Sequence, residues 1–307
     1  MIEVKNLSKS YGDKKAVKSI SFSVEKGEIL GLLGPNGAGK STTMNMITGY
    51  ISMSGGSVTV NGVDVLENPM EAKKLIGYLP EQPPLYMDMT VWEYLNFVYE
   101  LKKVKINITK KDHLNDVMNT VSILDVKDRK IKNLSKGYRQ RVGFAQALIG
   151  KPEVLILDEP TVGLDPNQIV EIRDVIKSLR KEHTVIFSTH ILSEASELCD
   201  RIAIVNNGSI AVIGKTDELL DASGMDVNIG FSVDKCEKDF ADLVKKIPDV
   251  TNVIKIGSSD FEVKAKRDVT NSILKLCKDN SIFVMSLKTN VPTLETMFVK
   301  LTEMGGM

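Results

Sequence analysis

The sequence contains few cysteines and histidines, and its positive and negative charges cancel. Its 307 residues include three cysteines, Cys199, Cys236 and Cys277, which lack the spacing of metal ligands or of a disulfide framework. This pattern predicts a reducing compartment and cysteines that serve packing. Lys and Arg number 40 together, as do Asp and Glu, so the formal net charge is zero. No global field therefore favours nucleic acid or an anionic membrane as a partner.

Long apolar runs are also absent. No stretch reaches the ~20 apolar residues that a helix needs to span a bilayer, and the first residues contain no apolar signal segment. Any membrane involved in the function is thus expected to be spanned by another polypeptide. The length suggests about two domains, which is ample for a sizeable core.

The most informative stretch is glycine-rich and fits the pattern G-x-x-x-x-G-K-[ST]. Its residues are Gly34, Pro35, Asn36, Gly37, Ala38, Gly39, Lys40, Ser41 and Thr42. A strand-like run precedes it and a helical segment follows, which is the context that a phosphate-binding loop requires. The loop N–H groups and the start of the helix are expected to face a polyphosphate. Lys40 would reach the β- and γ-phosphates, and the Ser41 hydroxyl would ligate Mg²⁺.

Polar side chains follow two continuously apolar segments further along the chain. Residues 154–157 are predicted to form a buried parallel strand that ends in Asp158 and Glu159, and residues 184–189 a second strand that ends at His190. Ligands bind at the carboxyl edge of such sheets, so the two carboxylates predict a Mg²⁺ site rather than packing. His190 is a capping or core residue or a catalytic one, and its place at a strand end favours catalysis. The histidines expected at the surface are His113 and His183.

Further candidates lie in loops and in a helical region. Tyr11 stands beside a turn ahead of the phosphate loop, and its position fits an edge strand and an adenine platform equally well. Gln82 follows a short strand in a proline-rich loop that must be extended, and considered alone it would be a solvated glutamine. Residues 91–149 are helical in spacing, and Ser135 is a suitable N-cap for a helix expected over 139–149.

In their order along the chain, these motifs resemble those of the ATP-binding subunits of ABC transporters. The matching positions are Tyr11, 34–42, Gln82, Leu134-Ser135-x-Gly137, 157–160, 163–166 and His190, and the resemblance covers about residues 2–217. It implies an α/β fold: a P-loop NTPase domain of the ABC type with a β-subdomain, a RecA-like core and a helical subdomain at about 83–150. It also implies ATP and Mg²⁺ as cofactors.

The resemblance assigns a role to each matching position. Tyr11 would stack on adenine, Asp158 would hold Mg²⁺, and Gln82 would help to ligate Mg²⁺ and sense the transporter. Glu159 would polarise the attacking water and His190 would contact the γ-phosphate. The positions that would contact nucleotide outside the phosphate loop include Ser135, Gly137 and Asp165. Ser135 and Gly137 would act across a head-to-tail dimer on the ATP bound by the other subunit, with two ATPs sandwiched.

One motif departs from the family pattern. The usual signature is Leu-Ser-Gly-Gly-Gln, whereas here Lys136 replaces the first glycine and Tyr138 replaces the glutamine. Ser135, Gly137 and the backbone N–H groups remain, so the clamp on the γ-phosphate is expected to be chemically intact. The added charge of Lys136 is expected to tune the hydrolysis rate, in a direction that the sequence does not give.

The C-terminal part has a different pattern, and the domains are expected to be 1–221 and 222–307. Ser223 and Gly224 indicate a linker, and strand and helix signals then follow in the order βαββαβ, with the first helix over 236–247 and the last strand over 282–285. This order predicts a small α+β, ferredoxin-like domain, with a final helix over 293–301. It contains no nucleophile, metal cluster or phosphate loop, so an accessory or regulatory role is expected. Proteins of the family with such a tail resemble exporters of the drug, antibiotic or gliding-motility type, whose membrane subunit is separate.

The leading interpretation is therefore an ATPase that energises a separate membrane permease. Through this permease the ATPase would be bound to the cytoplasmic face of the cell membrane. It would pair with a second ATP-binding subunit in a homodimer or a related heterodimer. The alternative is a soluble ABC-type ATPase that remodels nucleic acid or ribosomes. That class usually needs tandem nucleotide domains, a long coiled coil or zinc ligands, which this sequence lacks, so no nucleic-acid partner is expected.

Residues 85–87 and Trp92 fit a docking groove for a membrane helix or a small satellite core.

Overall fold

The computed structural model describes residues 1–216, 218–219, 226–234, 240–290 and 293–303. The chain divides into two compact units, Met1–Lys215 and Thr216–Glu303. The predicted boundary between residues 221 and 222 lies outside the described residues. Within the described residues, no helix combines the length and the apolar character needed to cross a bilayer.

The first unit contains two sheets and a set of helices. Its strands are β1 (Ile2–Tyr11), β2 (Lys14–Val24), β3 (Ile29–Leu33), β4 (Gly55–Val60), β5 (Val63–Asp64), β6 (Ile76–Leu79), β7 (Val154–Asp158), β8 (Thr184–Thr189), β9 (Arg201–Asn206) and β10 (Ser209–Gly214). Its helices are α1 (Lys40–Ile47), α2 (Pro69–Leu75), α3 (Val91–Leu101), α4 (Lys110–Thr120), α5 (Lys136–Leu148), α6 (Pro166–Leu179) and α7 (Leu192–Leu198). The smaller sheet is antiparallel, with strand order β2-β1-β4-β5. The larger has order β10-β9-β3-β8-β7-β6 and is parallel except at β10.

The central strands of the larger sheet carry the apolar runs of the sequence. Every residue of β3, β7 and β8 is buried, as expected for parallel strands covered on both faces. The pairing of β7 with β8 sets Asp158 opposite Ser188, and the pairing of β3 with β8 sets Leu33 opposite Thr189. This register brings the carboxyl ends of three strands, and the polar residues that follow them, to one edge of the sheet.

Alternate residues of β7 enter two different apolar cores, as the two-residue period of a strand dictates. Val154 and Ile156 pack in the core between the two sheets. Leu155 and Leu157 pack in the core under α3, α4 and α5. The strand that ends in the candidate carboxylates is therefore fixed from both sides.

Helix α5 has the predicted N-cap residue, Ser135. The Ser135 hydroxyl accepts a hydrogen bond from the Tyr138 N–H at 3.3 Å, which confirms the predicted cap, although the helix starts three residues earlier than expected. The helix ends at Leu148, just before Gly150, which has a φ of 94°. Glycine adopts this left-handed conformation without steric cost, so it suits a helix terminus.

The prediction that His113 and His183 lie at the surface is wrong, because both are buried. His113 Nε2 accepts the Gly150 N–H at 3.0 Å, and burial lowers the pKa of His113 below its usual value. His183 Nδ1–H donates to the Pro152 carbonyl at 2.6 Å. Polar neighbours in sequence therefore did not predict exposure, because both rings pack against the chain between α5 and β7.

The second unit forms a four-stranded antiparallel sheet with order β12-β13-β11-β14, where the strands are β11 (Val227–Val233), β12 (Val250–Lys255), β13 (Asp260–Ala265) and β14 (Val284–Asn290). Its described helices are α8 (Phe240–Lys245), α9 (Thr270–Asp279) and α10 (Leu294–Glu303). With α8 between β11 and β12, and α9 between β13 and β14, this is the predicted ferredoxin-like arrangement. The core includes Phe231, Phe240 and Phe261, with ring centroids 5.2–6.4 Å apart.

The last strand of the second unit differs from the sequence-based expectation. This strand, expected over 282–285, occupies Val284–Asn290, because polar residues continue the pairing with β11 after the apolar run ends. The predicted linker residues Ser223 and Gly224, and Cys236 in the predicted first helix, lie outside the described residues.

Candidate active site

A cavity of about 750 Å³ lies at the carboxyl edge of the larger sheet. Its lining includes the phosphate loop after β3, Glu159 after β7 and His190 after β8. The predicted site residues that line it are Tyr11, Asn36, Gly37, Gly39, Lys40, Ser41, Thr42, Glu159 and His190. The fold therefore brings together side chains that lie up to 179 positions apart in sequence.

The phosphate loop keeps its shape through close backbone packing. Gly39 has a φ of 107°, and a Cβ there would lie 2.8 Å from the Ala16 carbonyl oxygen. The hairpin turn after β9 supports the loop, since the Gly208 N–H donates to the Ala38 carbonyl at 2.9 Å. No side chain caps the N-terminus of α1. The first N–H groups of this helix are thus available to an anion.

Lys40 is a buried cation at the centre of the loop. Its Nζ donates to the Gly34 carbonyl at 2.8 Å and to the Pro35 carbonyl at 3.3 Å. The same Nζ lies 3.2 Å from Glu159 Oε1, as an ion pair without the alignment of a hydrogen bond. Gly34, Pro35 and Ala38 therefore shape the loop around Lys40 without lining the cavity themselves.

Asp158 sits beneath the loop and is joined to it by a hydroxyl. Its Oδ1 accepts hydrogen bonds from Ser188 Oγ at 2.6 Å and from Ser41 Oγ at 3.1 Å. Burial raises the pKa of Asp158 above its usual value, while these two hydrogen bonds act in the opposite direction. A hydroxyl and a carboxylate oxygen at this separation form a set of hard donors suited to Mg²⁺.

Glu159 and His190 form a directly hydrogen-bonded pair. His190 Nδ1–H donates to Glu159 Oε2 at 2.8 Å. The Glu159 carboxylate is buried, and its backbone has a φ of 47°, a conformation that non-glycine residues rarely adopt. The Glu159 N–H is held by Ser188 Oγ at 2.9 Å. Ser188 thus binds both residues of the carboxylate pair, a contact that the sequence pattern did not reveal.

The structure places Gln82 outside this cavity. Glu81 and Gln82 are both exposed, and only Glu81 lines the cavity. The two residues form a bend shortly after β6, and the path of the chain there directs Glu81 toward the cavity. The segment is non-helical, as its prolines predict, but the prolines do not indicate which residue faces the cavity.

Tyr11 lines the cavity and is about half exposed, with Lys9 Nζ 5.2 Å from its ring centroid. This location removes Tyr11 from the apolar core but is compatible with stacking on a base. Sequence reasoning did not select the other lining residues, which are Lys14, Lys15, Ala16, Lys18, Glu81, Val162, Asn207 and Gly208. The run of lysines after Tyr11 and the Asn-Gly turn at 207–208 were the available signals.

The three nucleotide contacts predicted beyond the phosphate loop and Tyr11 lie outside this cavity. Ser135 is exposed at the N-cap of α5, Gly137 is buried in its first turn, and Asp165 caps α6 by accepting the Gln168 N–H at 3.0 Å. A Cβ at Gly137 would lie 2.5 Å from the end of the Gln168 side chain, so a larger residue there would require that side chain to move. None of these three residues lines the cavity at the phosphate loop of its own chain.

The strand order, the phosphate loop and the polar strand ends define a P-loop nucleoside triphosphatase. The family described as ABC transporter matches residues 17–162. The linearmycin resistance ATP-binding protein LnrL of Bacillus subtilis is 36% identical over 98% of this chain and 98% of its own length. The lantibiotic transport ATP-binding protein SrtF of Streptococcus pyogenes is 36% identical over 68% of this chain and 89% of its own length.

Solved structures agree with these relatives. The structure of an ATP-binding subunit of an ABC transporter superposes with a TM-score of 0.66 at 29% identity, covering 73% of this chain and 93% of that one. A dimeric ATP-binding cassette bound to ADP and phosphate superposes with a TM-score of 0.64 at 25% identity. The match covers 70% of this chain and 98% of the cassette. The chain belongs to the family of ABC transporter ATP-binding proteins, and it is an ATP hydrolase.

Proposed function

We propose that this chain energises export of an antibiotic through a separate membrane permease, acting at the inner face of the cell membrane. The observation that carries the proposal is the relationship over almost the full length, including the C-terminal unit, to a protein named for linearmycin resistance. The relative named for lantibiotic transport supports the same class of cargo. The names of these relatives do not favour the alternative, a machine that remodels nucleic acid or ribosomes.

The proposed Mg²⁺ site consists of Ser41 and Asp158, with Glu81 rather than Gln82 as the third contributor. Ser41 Oγ and Asp158 Oδ1 lie 3.1 Å apart, and Glu81 lines the same cavity. When bound there, Mg²⁺ would supply positive charge that neutralises the negative charge developing on the phosphates. The protein supplies the oxygen donors and, through the Ser188 hydroxyl, fixes the orientation of the Asp158 carboxylate.

Glu159 is the proposed general base, and His190 is proposed to contact the γ-phosphate. The carboxylate lies between the loop cation Lys40 and the imidazole of His190, at 3.2 and 2.8 Å. A carboxylate at this position can polarise a water aligned with the γ-phosphate, and Lys40 and the loop N–H groups stabilise the negative charge that develops. Tyr11 would support the adenine at the far end of the same cavity.

The proposed active form is a head-to-tail dimer that encloses two ATPs. Ser135 is exposed at the start of α5, where the helix dipole favours an anion. Ser135 and Gly137 do not line their own cavity, which supports a contact with the nucleotide of a second subunit. The solved dimeric cassettes that resemble this chain support the same assembly.

An exposed apolar surface supports docking of the permease. The Tyr86 ring packs edge-on against Tyr94 and Phe97, with centroids 6.2 and 5.5 Å apart, and Tyr86 and Phe97 remain substantially exposed. Leu85 and Trp92, in contrast, pack against the core under the helical region. The two interpretations of this segment therefore apply to different residues: Leu85 and Trp92 serve the core, and Tyr86 is available to a partner.

Growth and fractionation test the proposed function. In a strain that lacks the chain, we expect the wild-type chain to restore growth on linearmycin or on a lantibiotic. We expect the Glu159→Gln variant not to do so at equal expression. The tagged wild-type chain should fractionate with membranes and co-purify with one membrane-spanning protein. Equal protection by both forms, or sedimentation with ribosomes instead of membranes, would contradict the proposal.

The magnesium dependence of hydrolysis tests the choice between Glu81 and Gln82. For Glu81→Ala, we expect the Mg²⁺ concentration for half-maximal hydrolysis to rise about tenfold or more, a size typical of disturbed metal sites. Gln82→Ala changes an exposed side chain and should stay within about twofold of wild type. The two variants are matched controls, because each truncates one residue of the same loop. A higher Mg²⁺ requirement in Gln82→Ala alone would identify Gln82, and not Glu81, as the third contributor.

A further inference from the structure

A buried carboxylate behind the active site, Glu194 on α7, has no role in the chemistry proposed above. The Glu194 side chain is fully inaccessible to solvent. Its Oε2 accepts hydrogen bonds from the hydroxyls of Thr161 and Thr189, at 2.9 and 2.8 Å. Its Oε1 lies 3.6 Å from Arg173 Nη2 on α6. A carboxylate is costly to bury unless its partners are well arranged, so the arrangement around Glu194 is specific.

The two threonines belong to the segments that carry the candidate catalytic pair. Thr161 follows Glu159 by two residues, and Thr189 immediately precedes His190. Both threonines are buried. The Thr189 hydroxyl also accepts the Ile191 N–H at 3.0 Å, and it donates its own hydrogen to Glu194. One carboxylate oxygen therefore links the loop after β7 to the end of β8.

This link acts where position matters for the reaction. The His190 to Glu159 hydrogen bond of 2.8 Å spans the same two segments. Glu159 holds a left-handed backbone conformation, which persists only where the surroundings enforce it. The Ser188 hydroxyl restrains Glu159 on one side. On the other side, the turn from Glu159 to Val162 is closed by a 3.1 Å backbone hydrogen bond, and Thr161 within this turn is bound to Glu194.

We infer that Glu194 is a positioning residue: through Thr161 and Thr189 it fixes the spacing between Glu159 and His190 for ATP hydrolysis. The inference rests on the roles proposed for Glu159 and His190. Arg173 extends the link to α6, the helix that Asp165 caps. Glu194 does not line the cavity, so it is expected to act on turnover rather than on nucleotide affinity.

Valine substitutions test the link while keeping side-chain shape. In the full-length chain, we expect Thr161→Val and Thr189→Val each to lower kcat at saturating MgATP about tenfold, the scale of a small misplacement of reacting groups. The Kd for ATP should stay within twofold. Either substitution breaks the same connection, so the double variant should hydrolyse ATP at nearly the rate of the slower single variant. Glu194→Ala, which removes both contacts, should match the double variant.

Two comparisons separate positioning from a general loss of stability. Glu197→Gln changes a half-exposed glutamate on the same helix that pairs with the same Arg173, and its kcat should match that of wild type. In a Glu159→Gln background, Thr161→Val should cause no further loss of the residual hydrolysis, because the positioned group has been removed. Thermal unfolding of each variant shows that the chains compared are folded.

The outcomes distinguish the inference from the function on which it rests. Near wild-type kcat in both valine variants, beside an inactive Glu159→Gln, would overturn the positioning role alone. So would a loss of ATP affinity parallel to the loss of kcat, or an unchanged tenfold effect of Thr161→Val in the Glu159→Gln background. High activity of Glu159→Gln itself would instead overturn the proposed role of Glu159.

Discussion

Glu159→Gln is expected to lower kcat for ATP hydrolysis by about 10²- to 10⁴-fold, the usual contribution of a positioned general base. The amide has the shape of the carboxylate, so the hydrogen bond from His190 can persist, but it cannot take a proton from water. MgATP should still bind, because Lys40, Ser41 and Asp158 are unchanged. Steady-state hydrolysis and nucleotide titration measure the two effects separately.

A matched substitution tests whether the effect is local. Glu182→Gln replaces an exposed glutamate just ahead of β8 and should leave both kcat and the Kd for ATP unchanged. Asp158→Asn should instead weaken the response to Mg²⁺, because Asp158 is a proposed metal ligand. Hydrolysis by Glu159→Gln at a rate near that of wild type would remove Glu159 from the mechanism.

Lys40→Ala is expected to raise the Kd for ATP by about 10- to 100-fold, which is the scale of one or two hydrogen bonds to a charged group. Lys40 is the buried cation of the loop, and its Nζ lies within reach of both the loop carbonyls and Glu159. Its loss removes the positive charge that faces the phosphates. It also leaves the buried Glu159 carboxylate without its cation.

Lys14→Ala is the control, because Lys14 is an exposed lysine that lines the same cavity. Lys14→Ala changes the net charge by the same amount as Lys40→Ala. If the position of the Lys40 ammonium determines affinity, Lys14→Ala should raise the Kd for ATP much less. Lys40→Arg retains the charge but replaces a compact ammonium with a planar guanidinium, and affinity should remain impaired. Equal effects of Lys14→Ala and Lys40→Ala would contradict the assignment of Lys40.

The local part of the site could be predicted because short-range patterns determine it. The glycines of the phosphate loop have positive φ at Gly37 and Gly39, which the motif requires. The continuously apolar β7 predicted both a buried strand and the edge at which Asp158 emerges. Ser135 was recognised as an N-cap for the same reason, since a cap depends only on residues within one turn.

The remaining features depend on tertiary contacts that no local pattern contains. Glu81 and Gln82 are adjacent polar residues, and only the path of the loop decides which of them faces the cavity. Ser188 and Glu194 form hydrogen bonds with residues 29 to 33 positions away in sequence. The bond from Thr189 to Glu194 is the exception among these contacts, since it spans five positions. The burial of His113 could not be predicted for the same reason. Its ring packs where it accepts the Gly150 N–H, and Gly150 lies 37 positions away in sequence.

The mass of the Glu159→Gln chain with MgATP tests the central claim most directly, namely that hydrolysis takes place in a head-to-tail dimer. The expected species has twice the 33.9 kDa of one chain and contains one ATP per chain. In this background, Ser135→Asp retains a good N-cap but sets a negative charge against the γ-phosphate. It should yield monomers that still bind ATP, whereas Ser135→Asn should still dimerise. An ATP-bound monomer of Glu159→Gln, or a dimer indifferent to Ser135→Asp, would contradict the account.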